Sequence, residues 1–511
     1  MSSDWSHLPL SPLKLILQQL PLKQRMQSCA LVSTSWADAA IAATVDLASE
    51  QLELDSTRRA KACHSWCVKH HAYAKNVSYS SMRVMGSPLN HSRLQALSIS
   101  TTWTVRLAAA GQWRGLLQDA TALTTLNLNN TSIYGWPEAA VQLTGLKSLA
   151  VSAVKSKDPG EPHVPGQHLG LLQQLTCLKL KDDDAVTAAA LQQLSRLSKL
   201  QELCLAGADW ADDEDDGMEW QLATVNSSIG RLQCLTSLDI FCCSPVPVGI
   251  SKLTSLQQLR IDWGTSVHPE CFAGGGNLRS LSIANSRMAG EGAQGQLLQH
   301  LERMKHLTFL DLSSSLTDYN DWEGVSLSAF GGITASSSLQ YLNLEECCLA
   351  EGAWRSMFRQ TGQQLTALGY LSLRGAAPGL AANDIKRMVQ ACPNLHTLNL
   401  RTVLQPKVSL LALTKLTRLT ELDISRVTTE SGVRILAQLS GLRELRVRQP
   451  SEVSRVSRLH LTALKQLREV VLPACRSDCA DDDDDEWYWR CCNEEGFSNK
   501  VSIRCHEMVG L

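Results

Sequence analysis

The run GEGAQG, Gly290 to Gly295, is the first place in this sequence to look for chemistry. G-x-G-x-x-G after a strand lets backbone N–H groups and a helix N-terminus cradle a pyrophosphate. Leu278 to Ile283 before it reads as a strand, and QLLQHLERM after it as a helix. A dinucleotide fold needs a doubly wound strand order, however, and this strand belongs to a series of similar units whose outward turn falls on these glycines. SPLK (11–14) matches the S-x-x-K of acyl enzymes, but no partner motif follows. Cys475, Cys479, Cys491, Cys492, Cys505 and His506 are metal-ligand types whose gaps do not form paired C-x-x-C knuckles. Neither G-x-x-x-x-G-K-S/T nor H-E-x-x-H occurs. The expectation is a non-catalytic chain with no cofactor and no metal.

The elements that must position any binding residues form a repeat. The pattern L-x-x-L-x-L, with Ile or Val allowed, begins at 94, 123, 146, 175, 200, 235, 256, 278, 307, 339, 368, 395, 419, 442 and 467. LTTLNL, LTSLDI, LTFLDL and LTELDI are examples, and an eroded unit, AKNVSY, starts at Ala74. The mean period is about 26.6 residues, within the range of a leucine-rich repeat. Alternation puts the fourth and sixth template residues on one side of a short strand. The chain then returns through a helix or irregular segment; SGVRILAQL (431–439) and NDIKRMVQA (383–391), the second with Asn383 as its cap, read as return helices. No unit buries its own leucines, so stacking does it. The fold class is therefore α/β, a leucine-rich-repeat solenoid with a curved parallel sheet of about 15 to 16 units. Ninth-position residues such as Cys243, Cys347 and Cys475 are expected to satisfy backbone groups in the turn, with Thr131, Asp183, Ser286 and Ser315 in other units leaving that ladder incomplete.

Third-position residues face away from the leucines, on the concave side. Phe309, Tyr341 and Tyr370 occupy it in three successive units and should form one stripe. Two readings stand: a peptide-anchoring row, or a shield for the repeat edge. Residues 374–468 hold 16 lysines and arginines against 6 acidic residues, leaving 32 against 44 elsewhere. Arg374, Arg401, Arg446 and Arg448, at fifth or seventh positions, suggest a basic wall suited to an acidic or phosphorylated segment. Solvated surface is the alternative, and it is the reading for Lys386 and Arg387. Two acidic runs, ADWADDEDDGMEW (208–220) in the longest interval and DDDDDE (481–486) after the last repeat, read as solvated segments.

At 511 residues the chain exceeds one compact core, which a repeat array accommodates. MSSDWSHL has no signal-peptide pattern, and no apolar run is long enough for a membrane span. These readings point to cytoplasm or nucleus, and the 17 cysteines then read as reduced thiols. The net charge of -2 predicts no general attraction to nucleic acid.

One block obeys a different period. In Leu8 to Trp36, Leu10, Leu13, Leu17 and Leu20 recur at helical spacing, widened by Ile16; after Pro21, Met26, Cys29, Val32 and Trp36 form a second stripe. A helical domain of about 40 residues encloses little surface and needs a partner. Its order, Leu8-Pro9, Leu13, Ile16-Leu17, Leu20, then Val32-Ser33 through Trp36, resembles the F-box. An acidic residue usual after Leu-Pro is replaced by Leu10-Ser11, and the usual Asp before the middle helix is met only by Gln24-Arg25. The resemblance to F-box/leucine-rich-repeat proteins implies a substrate receptor of an SCF-type cullin-RING ubiquitin ligase. Leu8, Pro9, Leu13, Ile16, Leu17, Leu20, Val32 and Trp36 would then bind the adaptor, and through it cullin, while the repeats bind a target protein. The alternatives are a block that caps the first repeat, and a repeat scaffold without ligase coupling. The expected organisation is an F-box-like helical domain at 5–46, a linker and eroded repeat at 47–93, the solenoid at 94–473, and a cap with an acidic loop at 474–511, with WYWRCC (487–492) and KVSIRC (500–505) as closing strands.

Overall fold

A computed structural model describes residues 17, 46–54, 73–79, 94–100, 120–129, 143–152, 169–181, 188–207, 218–243, 245–264, 266–318, 320–359, 364–401, 403, 410–425, 430–447, 459–473 and 502–506. The chain divides into two units, Met1–Thr236 and Ser237–Leu511. The division falls inside the array expected over 94–473, just after the longest interval between repeats.

In the first unit, β1 (Asp46–Leu54), β2 (Tyr73–Tyr79), β3 (Ala96–Ser100), β4 (Thr125–Asn129), β5 (Ser148–Ser152), β6 (Cys177–Lys181) and β7 (Glu202–Ala206) follow one another. Each pairs in parallel with the next. AKNVSY therefore lies in a strand, and the sheet begins one strand earlier still, within the stretch expected as a linker.

The second unit runs β8 (Ser237–Phe241), β9 (Gln258–Asp262), β10 (Ser280–Ser282), β11 (Phe309–Asp311), β12 (Tyr341–Asn343), β13 (Tyr370–Ser372), β14 (Thr397–Leu400), β15 (Glu421–Ile424), β16 (Glu444–Val447), β17 (Glu469–Pro473) and β18 (Ser502–His506). These strands also pair in parallel, in sequence order. All fifteen L-x-x-L-x-L units carry a strand, β3 to β17. KVSIRC supplies β18, beside β17, whereas WYWRCC lies outside the described residues.

Register is set by the template: third position pairs with third and fifth with fifth throughout. Fourth-position leucines such as Leu238, Leu310, Leu342, Leu371 and Leu398 are buried to within about 1% exposure. Burial of each such side chain contributes ~1.5 to 3 kcal/mol, and only a neighbouring unit provides it.

Three polar columns recur along the array, and the first joins each unit to the one before. Thr124, Thr176, Thr236, Thr308 and Thr420, all at the second position, donate Oγ1–H to a backbone carbonyl of the unit before, at 3.0 to 3.1 Å. At the ninth position, Cys347 Sγ reaches the Leu312 carbonyl at 2.9 Å and Cys243 Sγ the Phe241 carbonyl at 3.3 Å. Ser286 and Ser315 act in the same way, Ser286 Oγ also accepting from the Gly264 N–H at 3.0 Å, so serine extends the ladder expected of cysteine. The eighth residue is left-handed wherever described from Cys242 to Gly375, which turns the chain outward after each of these strands. Asp311, Asn343 and Asn399, at the fifth position, each accept the backbone N–H two residues on, at 3.0 to 3.1 Å, and hold that turn.

Return segments vary with interval length. Helices Ala293–Arg303, Ala353–Met357, Ala382–Ala391 and Glu430–Leu436 serve some units; 3₁₀ turns such as Val248–Lys252 serve the shortest. The expected helix over 383–391 is present, but its cap is Ala381 rather than Asn383. Asp384 closes the end by accepting the Ala381 N–H at 3.0 Å, a bond that the exposed Asn383, one residue earlier, does not make. Two buried tryptophans staple successive returns: Trp322 Nε1–H donates to the Cys348 carbonyl and Trp354 Nε1–H to the Pro378 carbonyl, both at 2.7 Å.

Candidate interaction face of the second unit

Residues at third and fifth positions share the sheet face opposite the leucines. On it the three aromatics form one stack. Phe309 and Tyr341 lie 4.3 Å apart between ring centroids with planes 9° apart, and Tyr341 and Tyr370 4.2 Å and 7°. Parallel register places the rings side by side, and strand spacing of about 4.8 Å suits face-to-face contact. All three remain half-buried. Burial, then the neighbouring Tyr370, pushes the Tyr341 hydroxyl well above the usual tyrosine range.

The row continues in a way that was not singled out from the sequence. After Tyr370 come Thr397, Glu421, Glu444 and Glu469, each paired in register with the one before. Thr397 Oγ1–H donates to Glu421 Oε2 at 3.2 Å. Third and fifth positions of β8 to β17 together carry six carboxylates, Asp239, Asp311, Glu421, Asp423, Glu444 and Glu469, against two guanidinium groups, Arg260 and Arg446. The signal is present in the sequence as Glu421, Glu444 and Glu469 at the third position of the units starting at 419, 442 and 467.

Two of the four arginines expected in a basic wall, Arg374 and Arg446, are neutralised on this face. Arg374 is held by Glu345 through an ion pair and lies 3.8 Å from Glu346. Arg446 pairs with Glu444 at 2.7 Å, and Arg260 with Asp262 at 3.0 Å. Burial pushes the Glu345 carboxyl up, with Arg374 opposing it and Arg401 adding its positive charge. Among the described residues, most other cations of 374–468 lie on exposed positions outside the strands, including Lys386, Lys415, Arg418, Arg434, Arg443, Lys465 and Arg468. A window count sums both sides of the sheet and its returns, so it cannot see a face. Arg448 lies outside the described residues.

Other sequence candidates resolve simply. The glycine run leads into helix Ala293–Arg303, whose first turn already has an anion: the Gln294 N–H donates to Asp321 Oδ2 at 2.7 Å. That contact occupies the place a phosphate would need. Among the described residues no group of three or more His, Cys, Asp or Glu is placed to hold a metal ion, and no helix is long and apolar enough to cross a membrane. The terminal cysteines, apart from the backbone of β18, and both acidic runs over most of their length lie outside the described residues.

So do Leu8, Pro9, Leu13, Ile16, Leu20, Val32 and Trp36. Leu17 is helical and fully buried within the chain, so its side chain packs inward.

The fold and this face define a repeat-built interaction protein. Residues 5–41 match the family model of the F-box domain, so the chain is an F-box domain followed by leucine-rich repeats. No curated protein matches the chain. Among solved structures, an internalin from Listeria monocytogenes is similar at 16% identity, with 73% of this chain and 90% of that chain covered and a TM-score of 0.43. A leucine-rich-repeat protein of Leptospira interrogans is similar at 16% identity, covering 89% and 100%, with a TM-score of 0.49. The solenoid assignment rests on the strand register and the buried leucine columns.

Proposed function

We propose that this chain is the substrate-recognition subunit of an SCF-type ubiquitin ligase, acting in the cytoplasm or nucleus and performing no catalysis itself. Its F-box docks on the adaptor, the adaptor joins it to cullin, and the repeats hold a target protein for ubiquitination. The observation that carries this reading is the F-box match at residues 5–41, ahead of repeats whose second unit sets its third-position residues in one in-register row. F-box domains generally bind SCF adaptors, and a repeat array presents one side chain per unit on a regular spacing, which suits protein recognition.

The adaptor interface should be concentrated in a few apolar anchors, each costing about 2 kcal/mol or more when truncated. Leu8→Ala with Pro9→Ala in the full chain should abolish adaptor co-purification while the circular dichroism of the repeats stays unchanged. Adaptor retained by that double variant would sink the reading and leave a scaffold without ligase coupling.

A further inference from the structure

Tyr370 ends the aromatic stack. One face of its ring lies against Tyr341, and the other looks along the row, over Thr397, towards Glu421. Tyr370 and Glu421 are two strand spacings apart, roughly 10 Å. Between them on the strand row stands the short Thr397 side chain, whose hydroxyl donates to Glu421 Oε2 at 3.2 Å. The result is a niche with an aromatic wall, a carboxylate wall and a threonine floor.

We propose that this niche receives a cationic side chain, arginine or lysine, of an extended target segment that then runs along the glutamate row. Three observations support that occupant. Tyr370 presents a half-buried ring face with no aromatic partner on that side among the described residues, the geometry a guanidinium or ammonium group favours. Glu421 has no lysine or arginine ion-pair partner among the described residues, unlike Glu444 and Glu345. Finally, the third and fifth positions carry six carboxylates against two guanidinium groups, a balance complementary to a basic segment and repulsive to a phosphorylated one. The inference rests on the reading that the repeats bind a protein target, but not on the F-box docking to an adaptor.

The probes are three fluorescent twelve-residue peptide libraries, randomised except at two fixed positions that hold arginine, glutamate or phosphoserine. Anisotropy with the full chain should show the arginine library binding at least about tenfold more tightly than the other two, and weakening as salt rises. Tyr370→Leu should cost about 3- to 30-fold, while Tyr370→Phe, which keeps the ring face, should cost little. Glu421→Gln should weaken the arginine library by about three- to tenfold with unchanged thermal unfolding. Equal or tighter binding of the glutamate or phosphoserine library, indifference to Tyr370→Leu and Glu421→Gln, or no binding by any library would overturn the proposal. Adaptor co-purification, measured on the same variants, reports on ligase coupling separately: its loss from the unaltered chain would defeat the ligase reading and leave the peptide result standing.

Discussion

Tyr341 lies between Phe309 and Tyr370 as the middle ring of a three-ring stack, at 4.3 and 4.2 Å from its neighbours. Its hydroxyl is held protonated by burial, yet the residue is not in the leucine core. Each stacked contact contributes ~0.5 to 1.5 kcal/mol beyond area burial, so Tyr341→Ala should lower the unfolding free energy by about 1 to 3 kcal/mol. Tyr341→Phe keeps both stacks and should cost less than about 1 kcal/mol. Urea titration of the two variants checks the difference.

Removing Arg374 tests whether the seventh-position charges are structural. It is a partly exposed partner of Glu345 and Glu346, so Arg374→Ala should change stability by about 1 kcal/mol or less. The same substitution releases two carboxylates near the row, and binding of the arginine library should tighten by about two- to fivefold. A weaker interaction in the anisotropy assay would mean that the arginine itself contacts the ligand.

The tryptophan staples carry more. Trp354 is nearly fully buried and its Nε1–H closes on the Pro378 carbonyl. Trp354→Ala should cost about 3 to 5 kcal/mol through lost burial and an open cavity. Trp354→Phe fills most of the space but leaves the carbonyl without its donor, at about 1 to 3 kcal/mol. Calorimetry on both separates packing from hydrogen bonding.

Thiol chemistry should divide by burial. Cys271, Cys347 and Cys392 are buried, and burial pushes each thiol up to about 12. Cys234 and Cys242 are exposed. At pH 8 iodoacetamide should therefore modify Cys234 and Cys242 and spare the other three, as peptide mass mapping would read. Because the folded values lie above the unfolded one, the stabilisation from keeping these thiols protonated is complete below about pH 8.5 and is lost as pH climbs towards 12. Urea midpoints should accordingly fall across that window, by up to about 1.4 kcal/mol per pH unit for each thiol.

The repeat was legible because its cause is local: one apolar column per strand, spaced so that a unit on its own cannot cover it, forces stacking of the next unit at the same register. Fifteen strands, the side-by-side aromatics and the turn residues Cys243 and Cys347 all follow from that period, and the F-box order is written in consecutive residues. Charge was different. The count of Arg374 and Arg446 as a wall misses their partners, Glu345 in the neighbouring unit and Glu444 two residues away, because pairing depends on distance rather than on counting. Likewise Asp321 reaches the helix start at Gln294 from 27 residues further along the chain, cancelling a phosphate-like motif that the glycines alone suggested. Local spacing determined which elements form and how they stack; only the folded chain decided which charges neutralise one another and which face remains for a partner, since that depends on residues that packing brings together across units.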